Sequence, residues 1–120
     1  MELSVKIAWI LLALIHIGPA LTALFPSMVE KLYDVPANGE TSVLLVHRGV
    51  LFAAVVSVAT YAVLDPSVRQ MASIVLGLSM SGFLIHYIRV GAPTGGLRKI
   101  AIVDAIGLLP LSWVLFDAWN

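Results

Sequence analysis

The chain has 120 residues, 60% of them hydrophobic and 12% charged, whereas about a quarter of an ordinary soluble domain is charged, so water is the wrong solvent for most of its surface. Seven Lys or Arg balance seven Asp or Glu, and cysteine is absent. No basic excess exists to neutralise nucleic-acid phosphates, and disulfides, thiolate catalysis and Cys-ligated metal or iron–sulfur centres are excluded.

The first apolar run, from Ile7 to Val29, carries no formal charge. It is longer than the roughly 7 to 15 apolar residues of a cleavable signal and is read as a retained membrane helix. Crossing about 30 Å of hydrocarbon takes on the order of 20 helical residues, and the first predicted span runs from Leu3 to Phe25. Phe25-Pro26-Ser27 ends it, Ser27 and Glu30 form an S-x-x-E capping box, and a short interfacial helix is expected over Met28 to Tyr33. Val35-Pro36-Ala37-Asn38-Gly39 is a cluster of helix breakers, after which Thr41 or Ser42 caps a second span, Val43 to Leu64. Asp65-Pro66-Ser67 predicts a tight turn into a third span, Gln70 to Val90. The Gly- and Pro-rich stretch Gly91 to Gly96 leads to the fourth, Ile100 to Trp119, where Pro110 removes a backbone hydrogen bond about midway and is expected to bend the helix. In lipid each segment must satisfy its own backbone, so stretches of this length are helices. The expected fold is all-α, a four-transmembrane-helix bundle of an integral membrane protein forming one domain over residues 1–120.

With four spans, both termini and the Asp65 turn fall on one side of the bilayer (side A), and the other two connections on the opposite side (side B). Trp9, Tyr61, Trp113 and Trp119 fall near side A, as an aromatic belt. Lys6 and Arg69 are the basic residues of side A, whereas Lys31, Arg89, Arg98 and Lys99 lie on side B with Arg48 just inside. The positive-inside rule makes side B cytoplasmic.

Ionisable residues within the spans are unevenly distributed. His16, His47, Arg48, His86, Arg89 and Asp104 all fall in the side-B half. A charged group at the centre of a membrane helix costs roughly 2.5 to 3.5 kcal/mol on insertion scales, and such groups usually face the bundle interior. One shared polar pocket is therefore expected. Ser79, Gly82, His86 and Arg89 recur at spacings of three and four, which sets a small or polar stripe along one face of the third helix. In this pocket Arg48, Arg89 and His86 are candidates for binding an anionic or carbonyl group. His47, His16 and Asp104 are candidates for moving protons. Each residue also has a plainer use: Arg48, Arg89 and Lys99 can snorkel to headgroups, Asp104 can pair with Arg48 or Arg89, and a lone histidine can fasten two helices by a hydrogen bond.

Three histidines from three helices can ligate a metal, or two of them a haem. There is no H-x-x-x-H or H-x-x-E pair in the sequence, so no metal ligands are assigned and no motif identifies a cofactor. His16-Ile17-Gly18-Pro19 resembles the H-x-G-H motif of nucleotidyltransferases, but its second histidine is missing and no Gly-rich phosphate loop follows a strand. Soluble nucleotide chemistry is rejected on that ground.

Leu32-Tyr33-Asp34, His47-Arg48-Gly49-Val50-Leu51-Phe52 and Arg98-Lys99-Ile100-Ala101-Ile102-Val103-Asp104 together resemble a family of small four-span bacterial membrane proteins, some described as DoxX-like and many labelled phosphopantetheine adenylyltransferase. The resemblance covers nearly the whole chain. It implies a four-helix fold, a multi-pass location in the bacterial inner (plasma) membrane, and a role for His47, Arg48 and Asp104. The leading expectation is a His/Arg/Asp pocket that binds or converts a small or lipid-like ligand. Its rivals are a haem- or metal-binding membrane protein and a structural accessory subunit of a larger membrane complex; a homo-oligomer fits either. Export ranks last, because the first helix offers only His16 where a small multidrug exporter needs a carboxylate.

Overall fold

A computed structural model describes residues 2–25, 27, 28, 31, 39–92, 94 and 96–120. The described residues form four long helices and no strand: α1 (Glu2–Ala20), α2 (Gly39–Leu64), α3 (Arg69–Arg89) and α4 (Gly96–Trp119). All four are long and apolar enough to cross a membrane. The Ser27–Glu30 capping box, the interfacial helix to Tyr33, the breaker cluster from Val35 and the Leu32-Tyr33-Asp34 segment rest wholly or partly on residues outside those described.

The helix ends differ from the sequence expectation where proline and glycine act. The first helix stops at Ala20, one residue past Pro19, and tightens into a 3-10 turn over Leu21–Ala23. Pro19 has no N–H to give the preceding turn, and the Thr22 hydroxyl donates to the Pro19 carbonyl at 2.8 Å. Helix α2 begins four residues earlier than expected, at Gly39, whose φ of 77° favours glycine. Between α2 and α3 the Asp65 carboxylate accepts from the Ser67 N–H at 2.9 Å and the Ser67 hydroxyl at 2.7 Å, with Pro66 in the first helical position. Helix α3 ends in a Schellman motif, in which Gly91 (φ 96°) gives its N–H to the Ile88 carbonyl and Ala92 to that of Tyr87, each at 3.1 Å. Helix α4 continues through Pro110 without a break.

Helix α1 packs against α2 and α4, α3 packs against α4, and α3 touches α2 more sparingly. The core stripe of α1, Val5, Ala8, Trp9, Leu12 and His16, recurs at three- and four-residue steps. It meets Phe52, Val55 and Ala59 of α2, Leu76 and Met80 of α3, and Leu111 and Val114 of α4. Gly107 lets α4 close on its neighbours: a Cβ there would lie 2.6 Å from Met80 Cε and 2.8 Å from Ile15 Cδ1. Outside this core the surface is apolar, with Leu64 (78% exposed), Leu109 (75%) and Leu78 (72%) among its bare side chains.

Two side-A residues take positions that counting along the helices misses. Trp9 is completely buried and so belongs to the core, not to an aromatic rim; the depth of a residue says nothing about which way round the helix it faces. Arg69, counted only as a basic residue of side A, is buried and ties three helix ends together. Its Nε donates to the Ala62 carbonyl at 2.8 Å and its Nη2 to that of Val63 at 3.4 Å, satisfying orphan acceptors in the last turn of α2. Its other contacts grip Glu2 at the start of α1, Nη2 at 2.8 Å from Oε1 and Nη1 at 3.2 Å from Oε2, the fork geometry that arginine provides and lysine lacks.

Candidate functional site

Because α2 and α3 meet sparingly, a groove of about 530 Å³ opens between them. Arg48, Leu51, Phe52 and Val55 form its α2 wall, at steps that keep them on one helix face. Val75, Leu78, Ser79, Gly82, Phe83 and His86 form the α3 wall. The Val55 and Val75 end is apolar. The polar groups, Arg48, Ser79 and His86, lie with Phe83 in the half nearer side B.

The Arg48 guanidinium is clasped between two rings, its Cζ 4.6 Å from the centre of Phe52 and 4.7 Å from that of Phe83. Both are cation–π contacts, which strengthen as water is removed. Rings accept no in-plane hydrogen bonds, however, and Arg48 Nε and Nη2 are buried without a hydrogen-bond partner among the described residues. Leaving a buried donor unmet costs about 1 to 3 kcal/mol, more when it is charged. Phe52 stands one helical turn after Arg48 and is readable as its partner from that spacing. Phe83 comes from another helix, and no local signal announces it.

Phe52 also forms a wall of a second, smaller cavity of about 270 Å³, lined by His16 and its neighbours on α1 and by Lys99, Ile100, Val103 and Asp104 on α4. The His16 ring meets Phe52 edge-on, with ring centres 5.3 Å apart. Its Nδ1 lies 2.7 Å from the Leu12 carbonyl. A carbonyl only accepts, so Nδ1 carries the proton. Nε2 is buried and unpartnered among the described residues. Asp104 is 5% exposed, and the field of Arg48 reaches both it and His16.

The six residues expected to share one pocket are thus divided. Arg48 and His86 line the α2–α3 groove, and His16 and Asp104 line the α1–α4 cavity across the Phe52 ring. His47 and Arg89 are exposed and line neither. Adjacent residues on an α-helix point about 100° apart, and His47 falls on the exposed side of Arg48, off the wall that Arg48 occupies. Arg89 is the last residue of α3, three beyond His86, and lies past the groove. The three histidines do not converge, and among the described residues no three His, Asp or Glu side chains stand close enough to hold a metal ion. Lys99, which is exposed, also borders the second cavity.

No protein-family model matches the chain, and neither a curated protein nor a solved structure matches it.

Proposed function

We propose that this chain is a multi-pass protein of the bacterial inner membrane that binds an anionic amphiphile in the α2–α3 groove, headgroup on Arg48 and apolar tail along Val55, Val75 and Leu78. The observation that carries this reading is the pair of buried Arg48 donors with nothing to donate to, at the polar end of an otherwise apolar groove. A carboxylate or phosphate supplies two oxygens to such a fork, and charge-assisted bonds of this kind are about twice as strong as neutral ones. His86 and Ser79 on the facing wall offer further polar contacts to the same headgroup. The bare leucines around the bundle and the four long apolar helices support a bilayer as its solvent, and the resemblance to DoxX-like proteins supports the same location.

His86 shares the groove with Arg48. A haem or metal role gains no support from the separated histidines.

The test uses the full chain in nanodiscs of zwitterionic lipid, with dodecanoate as the probe and dodecanol and dodecyltrimethylammonium as its neutral and cationic counterparts. Dodecanoate is expected to bind, and Arg48→Met to weaken it by about tenfold or more, the loss of one charge-assisted contact. Gly82→Leu fills the groove from a position where an added Cβ meets nothing within 4 Å, and it is expected to block binding while leaving Arg48 in place. Equal binding of all three probes, or dodecanoate binding unchanged in both variants, would refute the proposal.

A further inference from the structure

We infer that the α1–α4 cavity is a second, separate site, for a small neutral molecule with an apolar body and one hydrogen-bond-donating hydroxyl. Two residues with acceptor atoms line this space from opposite helices. His16 is 2% exposed, and with the Leu12 carbonyl taking the Nδ1 proton, Nε2 of the neutral ring is a bare, buried lone pair with no partner among the described residues. Asp104 brings carboxyl oxygens from α4 to the same cavity, and no hydrogen bond or ion pair joins it to any described residue. Apart from Lys99, the remaining wall is apolar: Leu14, Ile15, Gly18, Pro19, Phe52, Ile100 and Val103. Apolar walls with a few convergent polar groups are the usual make-up of a small-molecule site.

Charge decides the kind of donor. An ammonium group would meet Lys99 on the same wall and the field of Arg48 from behind Phe52. An anion would meet Asp104. A hydroxyl avoids both penalties and can satisfy either acceptor. The volume of about 270 Å³ equals some nine waters at about 30 Å³ each, which limits the occupant to on the order of ten non-hydrogen atoms. Phe52 separates this space from the groove, and Arg48 does not line it, so the inference stands or falls independently of the amphiphile.

The experiment uses full-length protein with ¹⁵N-labelled histidine in nanodiscs, with cyclohexanol as the probe and methylcyclohexane as its isosteric control. The His16 signals are assigned by their loss in His16→Gln. Cyclohexanol is expected to move the His16 Nε2 resonance towards its hydrogen-bonded position, and methylcyclohexane to leave it in place. Gly18 borders the cavity, and an added Cβ there meets nothing within 4 Å. Gly18→Leu is therefore expected to abolish the response with both acceptors intact, and Asp104→Leu, which removes the rival acceptor for the single hydroxyl proton, to keep or strengthen it. Arg48→Met is expected to retain the response, which separates this site from the groove. A response to methylcyclohexane equal to that of cyclohexanol, an unchanged response in Gly18→Leu, or no movement of Nε2 at all would overturn the inference.

Discussion

Replacing Gly107 with alanine places a methyl carbon where α4 closes on α1 and α3, 2.6 Å from Met80 Cε and 2.8 Å from Ile15 Cδ1. Optimal carbon–carbon separation is about 3.5 to 4.0 Å, so both neighbours must retreat by roughly an ångström. Each is the tip of a flexible side chain, but Met80 is completely buried and has little room to move. Overpacking of this sort costs about 1 to 3 kcal/mol, against a gain of up to about 1 kcal/mol for alanine over glycine within a helix. Gly107→Ala is therefore expected to be about 1 to 3 kcal/mol less stable than a Gly→Ala change at an open helical position, a net destabilisation of about 0 to 2 kcal/mol. Gly18→Ala and Gly82→Ala are the controls: an added Cβ meets nothing within 4 Å at either, so both should be neutral or more stable by up to about 1 kcal/mol. The assay is reversible unfolding of the reconstituted protein, followed by circular dichroism. Gly107→Ala as stable as the two controls, or all three variants destabilised alike, would refute the close approach of α4 to Met80 and Ile15.

Arg69→Met should lower the unfolding temperature, because it releases Glu2 and leaves the Ala62 and Val63 carbonyls without their donor; Arg69→Lys should restore only part of the loss, since an ammonium cannot span the fork. The turn at Asp65 should be sensitive to acid. The Ser67 hydroxyl, then its backbone N–H, hold the Asp65 carboxyl below the usual carboxylate range. A lowered folded-state pKa stabilises fully above the unfolded value of about 3.9 and ceases to as pH falls through the folded value. The parent should therefore melt above Asp65→Ala at neutral pH, with the gap closing below about pH 4; a gap independent of pH would show that the carboxylate is not what holds the turn.

The four helices are legible in the sequence because length and hydropathy alone set them, but their ends depend on backbone details. The first span is expected to reach Phe25, whereas α1 ends at Ala20, one residue past Pro19, and passes into a 3-10 turn. Gly39 was counted as a breaker and instead begins α2, its positive φ serving as the entry. The candidate site was legible in depth and illegible in azimuth. Counting residues placed His16, His47, Arg48, His86, Arg89 and Asp104 in the same half of the helices, but only three-dimensional packing shows that Phe52 divides four of them into two cavities and that His47 and Arg89 line neither. The clasp on Arg48 was half readable, since Phe52 follows it by four residues, whereas Phe83 arrives from α3. The same blindness to direction put Trp9 at the rim and left the burial of Arg69 unseen.

The central claim, that an apolar chain lies between α2 and α3 with its anionic end on Arg48, is tested most directly by photo-crosslinking. Dodecanoate bearing a diazirine near its methyl end, activated in nanodiscs and mapped by mass spectrometry, should label Val55, Val75 and Leu78, and Arg48→Met should remove that labelling. Labels spread evenly over bare positions outside the groove, such as Ile10 and Leu109, or groove labelling that persists in Arg48→Met, would contradict it.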